Sequence, residues 1–171
     1  MKLDLLKLAS SLKLEANLLL KKTQLIDRLT KYGEVVISGS YALDLMVDGD
    51  IDLFIINKKI NKEGSLKILN DLIRQDDFNG YMYYDWTKRR HEGFPNGYYL
   101  GLKTNFKNRK WKIDVWLLKS PYKKAEKLMN FVLDNLNEQN KKTILKLKHQ
   151  AKTKKLDLRS SEIYKQVLYE K

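Results

Sequence analysis

The sequence has no cysteine in its 171 residues and only two histidines. The first absence excludes disulfides and thiolate metal sites, and the second leaves too few imidazoles for a zinc centre. Long apolar runs are missing too, since the leucine-rich start of the chain is interrupted by charges at Lys2, Asp4, Lys7, Lys13 and Glu15. We therefore expect neither a signal peptide nor a membrane span of roughly 18 apolar residues, but a soluble cytoplasmic protein with no membrane partner.

Acidic residues are the scarcer charge: 34 Lys and Arg face 21 Asp and Glu, for a net charge of +13. Such an excess favours polyanionic partners such as RNA, DNA or nucleotide phosphates. A lysine-rich surface that only contacts water is the alternative, and composition does not choose between them. The excess is concentrated in residues 119–171, which carry fourteen basic and six acidic side chains.

The hydrophobic pattern predicts an α+β protein, a small mixed β-sheet with flanking helices and a helical C-terminal segment. The first predicted helix covers residues 3–31, with Ser10 and Asn17 as candidate positions for a break into two helices. Two further helices cover residues 41–47, with Ser40 as the N-cap, and residues 64–75. The chain after Pro121 is predicted to be helical, with breaks near 137–140 and 156–161. The predicted strands cover residues 34–38, 51–56, 78–86, 98–104 and 111–118, of which the last two form a hairpin.

Two aspartates open the predicted strand at the end of the stretch ISGSYALDLMVDGDIDLFII, residues 37–56. Because side chains alternate along a strand, Asp50 and Asp52 share one face of it. Two carboxylates at the end of a buried strand repel each other and resist leaving water. The pattern therefore indicates that a cation lies between them.

A second predicted strand repeats this pattern, because Asp114 is followed on its own face by two large apolar residues, as Asp52 is. If the two strands are neighbours, Asp50, Asp52 and Asp114 converge. Three carboxylates without His or Cys suit Mg²⁺ or Mn²⁺. Two such ions can hold the attacking and leaving oxygens of a phosphoryl displacement. Asp85, which also lies in a predicted strand, is an alternative third carboxylate.

Phosphate binding is predicted at Gly39 and Ser40, which end the strand before the aspartate pair. Glycine lets the backbone approach a phosphate, and the start of the following helix offers free amide N–H groups. Ser40 either caps that helix or donates its hydroxyl to a phosphate. Lys88, Arg89 and Arg90 lie between strands that should border the site, so they are candidates to contact a triphosphate, with an exposed charged loop as the alternative.

An apolar-Gly39-Ser40 turn, a helix and an Asp50-x-Asp52-apolar strand resemble the signature of the polymerase-beta-like nucleotidyltransferase superfamily. The resemblance covers residues 34–118, about half of the chain. It implies a small mixed sheet with helices, an NTP substrate and Mg²⁺ or Mn²⁺ as the cofactor.

Carried over by position, the resemblance assigns the triphosphate to Gly39 and Ser40 and the metals to Asp50 and Asp52. It makes Asp114 the third catalytic carboxylate, a metal ligand that also activates the acceptor hydroxyl. Ala42 fits the family pattern, whereas Leu43 and Asp44 depart from the Arg-Gly that often follows it, which leaves the subfamily open.

These patterns together predict a nucleotidyltransferase-like catalytic domain with an N-terminal helix in residues 1–120, and a basic helical segment packed on it in residues 121–171. The expected reaction moves NMP from an NTP to an acceptor hydroxyl, on RNA or on a partner protein, with release of pyrophosphate. A non-catalytic nucleic-acid-binding or regulatory module and an antibiotic-modifying transferase are the alternatives. The C-terminal segment has one basic helical face, either solvated or RNA-binding, with Lys141, Lys148, Lys152, Lys155 and Arg159.

Overall fold

A five-stranded mixed sheet organises the computed structural model, which describes residues 4–88 and 93–169. The helices are α1 (Leu5–Lys22), α2 (Leu25–Thr30), α3 (Gly39–Ala42), α4 (Lys62–Ile73), α5 (Lys123–Asn135), α6 (Glu138–Thr153) and α7 (Ser160–Tyr169). The strands are β1 (Glu34–Ser38), β2 (Asp50–Ile56), β3 (Gly80–Asp85), β4 (Tyr98–Phe106) and β5 (Arg109–Leu118). The predicted α+β class, a mixed sheet with flanking helices, is confirmed.

The strands lie in the order β1-β2-β5-β4-β3. β2 and β5 run parallel, and each of the other neighbouring pairs is antiparallel. β4 and β5 form the predicted hairpin, whose register ends at Phe106 opposite Arg109. The last strand of the chain is therefore the central strand of the sheet.

The two faces of the sheet differ in burial. Along β2, the side chains of Ile51, Leu53 and Ile55 are almost completely buried, while the alternate side chains are partly exposed. The buried side chains pack with leucines and isoleucines of α1, α2 and α4. Each buried aliphatic side chain stabilises the fold by about 1.5–3 kcal/mol, so this helix-covered face fixes the register of β2. The other face, here called the carboxylate face, carries Asp50 and Asp52.

A second hydrophobic core joins α5, α6 and α7 to the start of α1 and to the segment before β2. Ile144 and Leu145 of α6 and Leu45 of that segment are fully buried in it. A capping box between Asn137 and Asn140 starts α6, so the predicted break near residues 137–140 is confirmed. Among the helices of residues 4–88 and 93–169, none is long and apolar enough to cross a membrane.

Two helix predictions are wrong. The first helical segment breaks at Gln24, in the left-handed region at φ 47°, instead of near Ser10 or Asn17. The helix predicted over residues 41–47 is only the single turn α3, and its N-cap position is Ser38 instead of Ser40. α3 ends early because Asp44 takes a left-handed conformation, φ 56°, after which the chain turns into the second core.

Candidate active site

The three predicted carboxylates lie on neighbouring strands. Asp52 of β2 and Asp114 of β5 are register partners, and Asp50 is paired with Lys112. Since paired strands lie about 4.8 Å apart and side chains alternate, all of these side chains belong to the carboxylate face. Asp85 does not, because it lies at the end of the edge strand β3 and alternates onto the helix-covered face.

Burial makes the aspartate pair hard to ionise. Loss of water contact raises the pKa of Asp50 to about 6, with the charge of Asp114 adding to this rise and that of Lys112 opposing it. The pKa of Asp52 rises to about 7, chiefly through burial and then through the neighbouring charges of Asp50 and Asp114. Asp50 Oδ1 is buried and has no hydrogen-bond partner within the described residues. Both effects favour a cation at these oxygens.

Asp114 is held by two neighbours. The Tyr99 hydroxyl donates to Asp114 Oδ1 over 2.6 Å, and Lys112 Nζ donates to Oδ2 over 2.6 Å. Burial and the hydrogen bond to Asp114 raise the pKa of Tyr99, which keeps its hydroxyl protonated as a donor. Burial alone would lower the pKa of Lys112, but Asp114 and the aspartate pair outweigh it and raise that pKa.

Gly101 makes the Tyr99 contact possible. It is the register partner of Asp114 on β4, and a Cβ at this position would lie 2.6 Å from the Tyr99 hydroxyl oxygen. The glycine therefore leaves the space through which the Tyr99 side chain reaches across to Asp114. The sequence reasoning missed both residues, because a glycine two positions from a tyrosine has no distinctive pattern.

The donor atoms suit a hard divalent cation. Asp50, Asp52 and Asp114 offer only carboxylate oxygens, and Asp50 Oδ1 is a buried acceptor without a donor. Across residues 4–88 and 93–169, however, no three His, Cys, Asp or Glu side chains converge closely enough to form a ready-made metal site. In this structure Asp114 is engaged by Tyr99 and Lys112 instead.

The Gly39-Ser40 turn lies against the aspartate pair. Gly39 has φ 67°, in the left-handed region that favours glycine, and a Cβ there would overlap the carboxylate of Asp52. Ser40 lines a cavity together with Asp50. Because α3 has only four residues, a helix N-terminus contributes nothing substantial here, and the turn itself is what approaches the carboxylates.

A buried lysine also lines that cavity, which has a volume of about 270 Å³. Lys148 of α6 is only 7% exposed, and its Nζ donates to the Leu45 carbonyl oxygen over 2.7 Å and to the Tyr164 hydroxyl over 3.1 Å. Burial lowers the pKa of Lys148 to about 8, although Asp50 and Asp52 oppose this. Lys148 thus faces the aspartate pair as a cation that water barely reaches.

The basic helical face of the C-terminal segment is neither fully solvated nor a continuous exposed stripe. Lys148 is buried, Lys141 donates to Asp44 Oδ2 over 2.5 Å, and Lys152 is ion-paired with Asp48. Lys152 and Lys155 also line the 270 Å³ cavity. The sequence did contain a signal for Lys148, which follows the buried Ile144 by four residues and so falls on the apolar side of α6.

Of the predicted triphosphate contacts in the loop after β3, only Lys88 lies within the described residues. Lys88 is exposed, and its charge acts on Asp85, at the end of that edge strand. Arg89 and Arg90 lie outside the described residues.

Comparison of the sequence with protein-family models gives no match, and comparison with curated proteins gives none either.

Proposed function

We propose that the protein is a nucleotidyltransferase that uses Mg²⁺ or Mn²⁺ to transfer NMP from an NTP such as ATP to an acceptor hydroxyl. The observation that supports this most is the register of Asp52 with Asp114, beside the unpartnered Asp50 Oδ1. A fold stabilised only by its core would gain nothing from clustering carboxylates whose burial opposes ionisation. A cytoplasmic location belongs to the same proposal.

In the proposed reaction, the acceptor oxygen forms a bond to the α-phosphorus, the bond from that phosphorus to the bridging oxygen breaks, and pyrophosphate leaves. Asp50 and Asp52 hold the cation, which when bound neutralises phosphate charge and polarises the reacting phosphoryl group. Asp114, oriented by Tyr99 and Lys112, accepts the proton of the acceptor hydroxyl.

The donor nucleotide has a fitting place in the 270 Å³ cavity beside Asp50. This volume lies just below the range of about 300–1,000 Å³ for ligand pockets, which suits the triphosphate part of a nucleotide alone. Ser40, Lys148, Lys152 and Lys155 all line this cavity. An ammonium group that is poorly hydrated binds phosphate strongly, because little water is lost on contact.

The experiment is incubation of the full chain with α-³²P-labelled NTPs, Mg²⁺, and either total RNA, total protein or an aminoglycoside. We expect label on one acceptor class and none in EDTA. The variant Asp50→Asn with Asp52→Asn should lose transfer by at least about a thousandfold, since both proposed metal ligands are removed.

The matched control is Asp85→Asn, which removes a strand-end carboxylate of the helix-covered face and should keep full transfer. Lack of label on every acceptor would overturn the proposal, and so would transfer that survives the double substitution. Polyanion binding that needs no metal, combined with no transfer, would instead identify a non-catalytic binding module.

A further inference from the structure

A group of aromatic side chains lies next to Asp114 on the carboxylate face. Within the described residues, five rings contact each other in a closed circuit, here called the aromatic cluster: Tyr84, Trp86, Phe94, Trp116 and Tyr99. Successive ring centroids in the circuit are 5.0–6.0 Å apart. Tyr84, Tyr99 and Trp116 lie on β3, β4 and β5, respectively. Trp86 directly follows β3, and Phe94 lies in the segment before β4.

The aromatic cluster has a buried floor and an exposed rim. Trp116 and Tyr99 are each 9% exposed and belong to a small core of this face. Tyr84 is 50% exposed and Phe94 is 47% exposed. Large apolar rings held at the surface over a packed floor are preorganised for contact with another flat apolar surface.

Lysines occupy the same face on the other side of the carboxylates. Lys103 and Lys112 are register partners on β4 and β5. They lie two residues along the strands from the pair of Gly101 with Asp114, on the same face. They line a cavity of about 810 Å³, which Asp50 and Lys110 also border. Along β5 the order on this face is therefore Lys112, Asp114 and Trp116, with about 6.6 Å between successive side chains.

Tyr99 connects the two halves of this surface. Its ring is part of the aromatic cluster, tilted against Trp116 with the ring centroids 5.0 Å apart, and its hydroxyl donates to Asp114. A base stacked on Tyr84 or Phe94 therefore lies close to Asp114, the carboxylate that we propose as the proton acceptor.

We propose that this face binds a single-stranded polynucleotide as the acceptor, with bases stacked on the Tyr84–Phe94 rim, phosphates on Lys103 and Lys112, and a terminal hydroxyl at Asp114. The inference rests on the proposed function, for which it names the acceptor class. Single strands expose the faces of their bases and carry regular negative charge, which matches aromatic rings beside lysines. A duplex hides those faces, and a polypeptide acceptor gives the lysines no regular charge to meet.

The test measures binding of fluorescein-labelled ten-nucleotide oligoadenylate, as RNA and as DNA, by anisotropy with the full chain in EDTA and without NTP. No transfer occurs under these conditions, so binding is read alone. Tyr84→Ala and Phe94→Ala should each raise Kd about 5- to 100-fold, the effect of losing one stacked base. Lys103→Gln should reduce the slope of log K against log salt by about 0.7, the value for one phosphate of a single strand.

The matched control is Tyr81→Ala. Tyr81 is 57% exposed on the same strand as Tyr84 but alternates onto the other face, so this variant should bind as the unchanged chain does. Tyr84→Phe should also retain binding, because the ring remains. Thermal melts of all variants confirm that each is folded at the temperature of the assay.

Three results would overturn the inference: no binding of either oligonucleotide, equal Kd for the unchanged chain and both rim variants, or equal loss with Tyr81→Ala. Binding of RNA, of DNA or of both with the predicted losses supports it. Failure of this inference is separable from failure of the proposed function. Label transfer to a protein without oligonucleotide binding would remove only the acceptor assignment, whereas rim-dependent binding without any transfer would remove only the reaction.

Discussion

The ammonium group of Lys148 in α6 donates a hydrogen bond to the main-chain oxygen of Leu45, 103 residues earlier in the chain, over 2.7 Å. The bond fixes the C-terminal helices against the segment that leads into β2. It also holds a positive charge close enough to Asp50 and Asp52 to act on the pKa of both. One side chain thus links the packing of α6 to the electrostatics of the carboxylate face.

Lys148→Met should change the pH dependence of stability. Since burial lowers the pKa of Lys148 from 10.5 to about 8, the unfolded chain binds more protons between these values. The free energy of unfolding of the unchanged chain should therefore gain up to about 3 kcal/mol from this group as pH rises through that window. The variant lacks this gain. Urea denaturation of both chains across the window measures it.

The groups facing Lys148, namely Asp48, Asp50, Asp52 and Tyr164, are common to both chains. Most other titrations therefore cancel in the difference between the two stability curves. If the free energies of unfolding of the two chains changed in parallel above neutral pH, the lowered pKa of Lys148 would be contradicted.

Asp52→Asn should stabilise the chain in EDTA. The pKa of Asp52 rises from 3.8 to about 7, so the folded chain binds this proton more tightly than the unfolded chain. Stability from this group is then lost as pH rises through that range, and an uncharged amide avoids the loss. We expect about 1–3 kcal/mol more unfolding free energy at pH 8 in urea titrations.

The same variant should lose stabilisation by Mg²⁺ with NTP, because a proposed metal ligand is gone. Asp85→Asn is the control: the hydrogen bond from Thr87 lowers the pKa of Asp85, so its replacement should not stabilise the chain. Equal stability changes in both aspartate variants would argue against a strained carboxylate at Asp52.

Gly39→Ala should impair both folding and function. A Cβ at Gly39 would overlap the Asp52 carboxylate, and φ 67° is strained for alanine, so we expect a loss of about 1–3 kcal/mol in denaturation. Gly80→Ala is the matched control, since its nearest new contact, with the Lys103 side chain, is an ordinary 3.5 Å. If Gly39→Ala were as stable as Gly80→Ala, the close approach of the turn to β2 would be wrong.

Tyr99→Phe tests the orientation of Asp114. Without the hydroxyl, Asp114 Oδ1 loses a donor at 2.6 Å, and we expect about 1–2 kcal/mol less stability and a lower kcat with little change in KM for NTP. Tyr83→Phe removes a comparable hydroxyl contact, to Ser65 on the other face at 2.9 Å, and should affect stability alone. A fall in kcat of the same size in both variants would count against a positioning role for Tyr99.

The convergence of Asp52 with Asp114 could be predicted from sequence because strand alternation is local and strict. Each strand carries a carboxylate ahead of large apolar residues on one face, and burial of the opposite face fixes both registers. Alternation places each carboxylate on a face of its own strand, but it does not show which strands are neighbours. The pairing of β2 with β5 was an assumption.

What the sequence did not predict depends on contacts far apart in the chain. In the sequence, Lys148 is one lysine of a basic helical face. Its burial depends on Leu45 and Tyr164, which contact it from other parts of the chain. The helix predicted over 41–47 was too long. The apolar residues of this segment are buried against α6 and α7 in the second hydrophobic core, and not on one face of a longer helix. Asp44 accepts a hydrogen bond from Lys141, which lies 97 positions later in the chain.

The central position of β5 has a consequence for the order of folding. The β1–β2 and β3–β4 pairs join segments near each other in sequence, whereas Asp52 and Asp114 are 62 positions apart. Closing such a loop is slow compared with forming a hairpin. On a ribosome, the chain must emerge through Leu118 before its carboxylates can meet. A nascent chain therefore carries the Asp50–Asp52 pair on β2 before Asp114 can join it from β5.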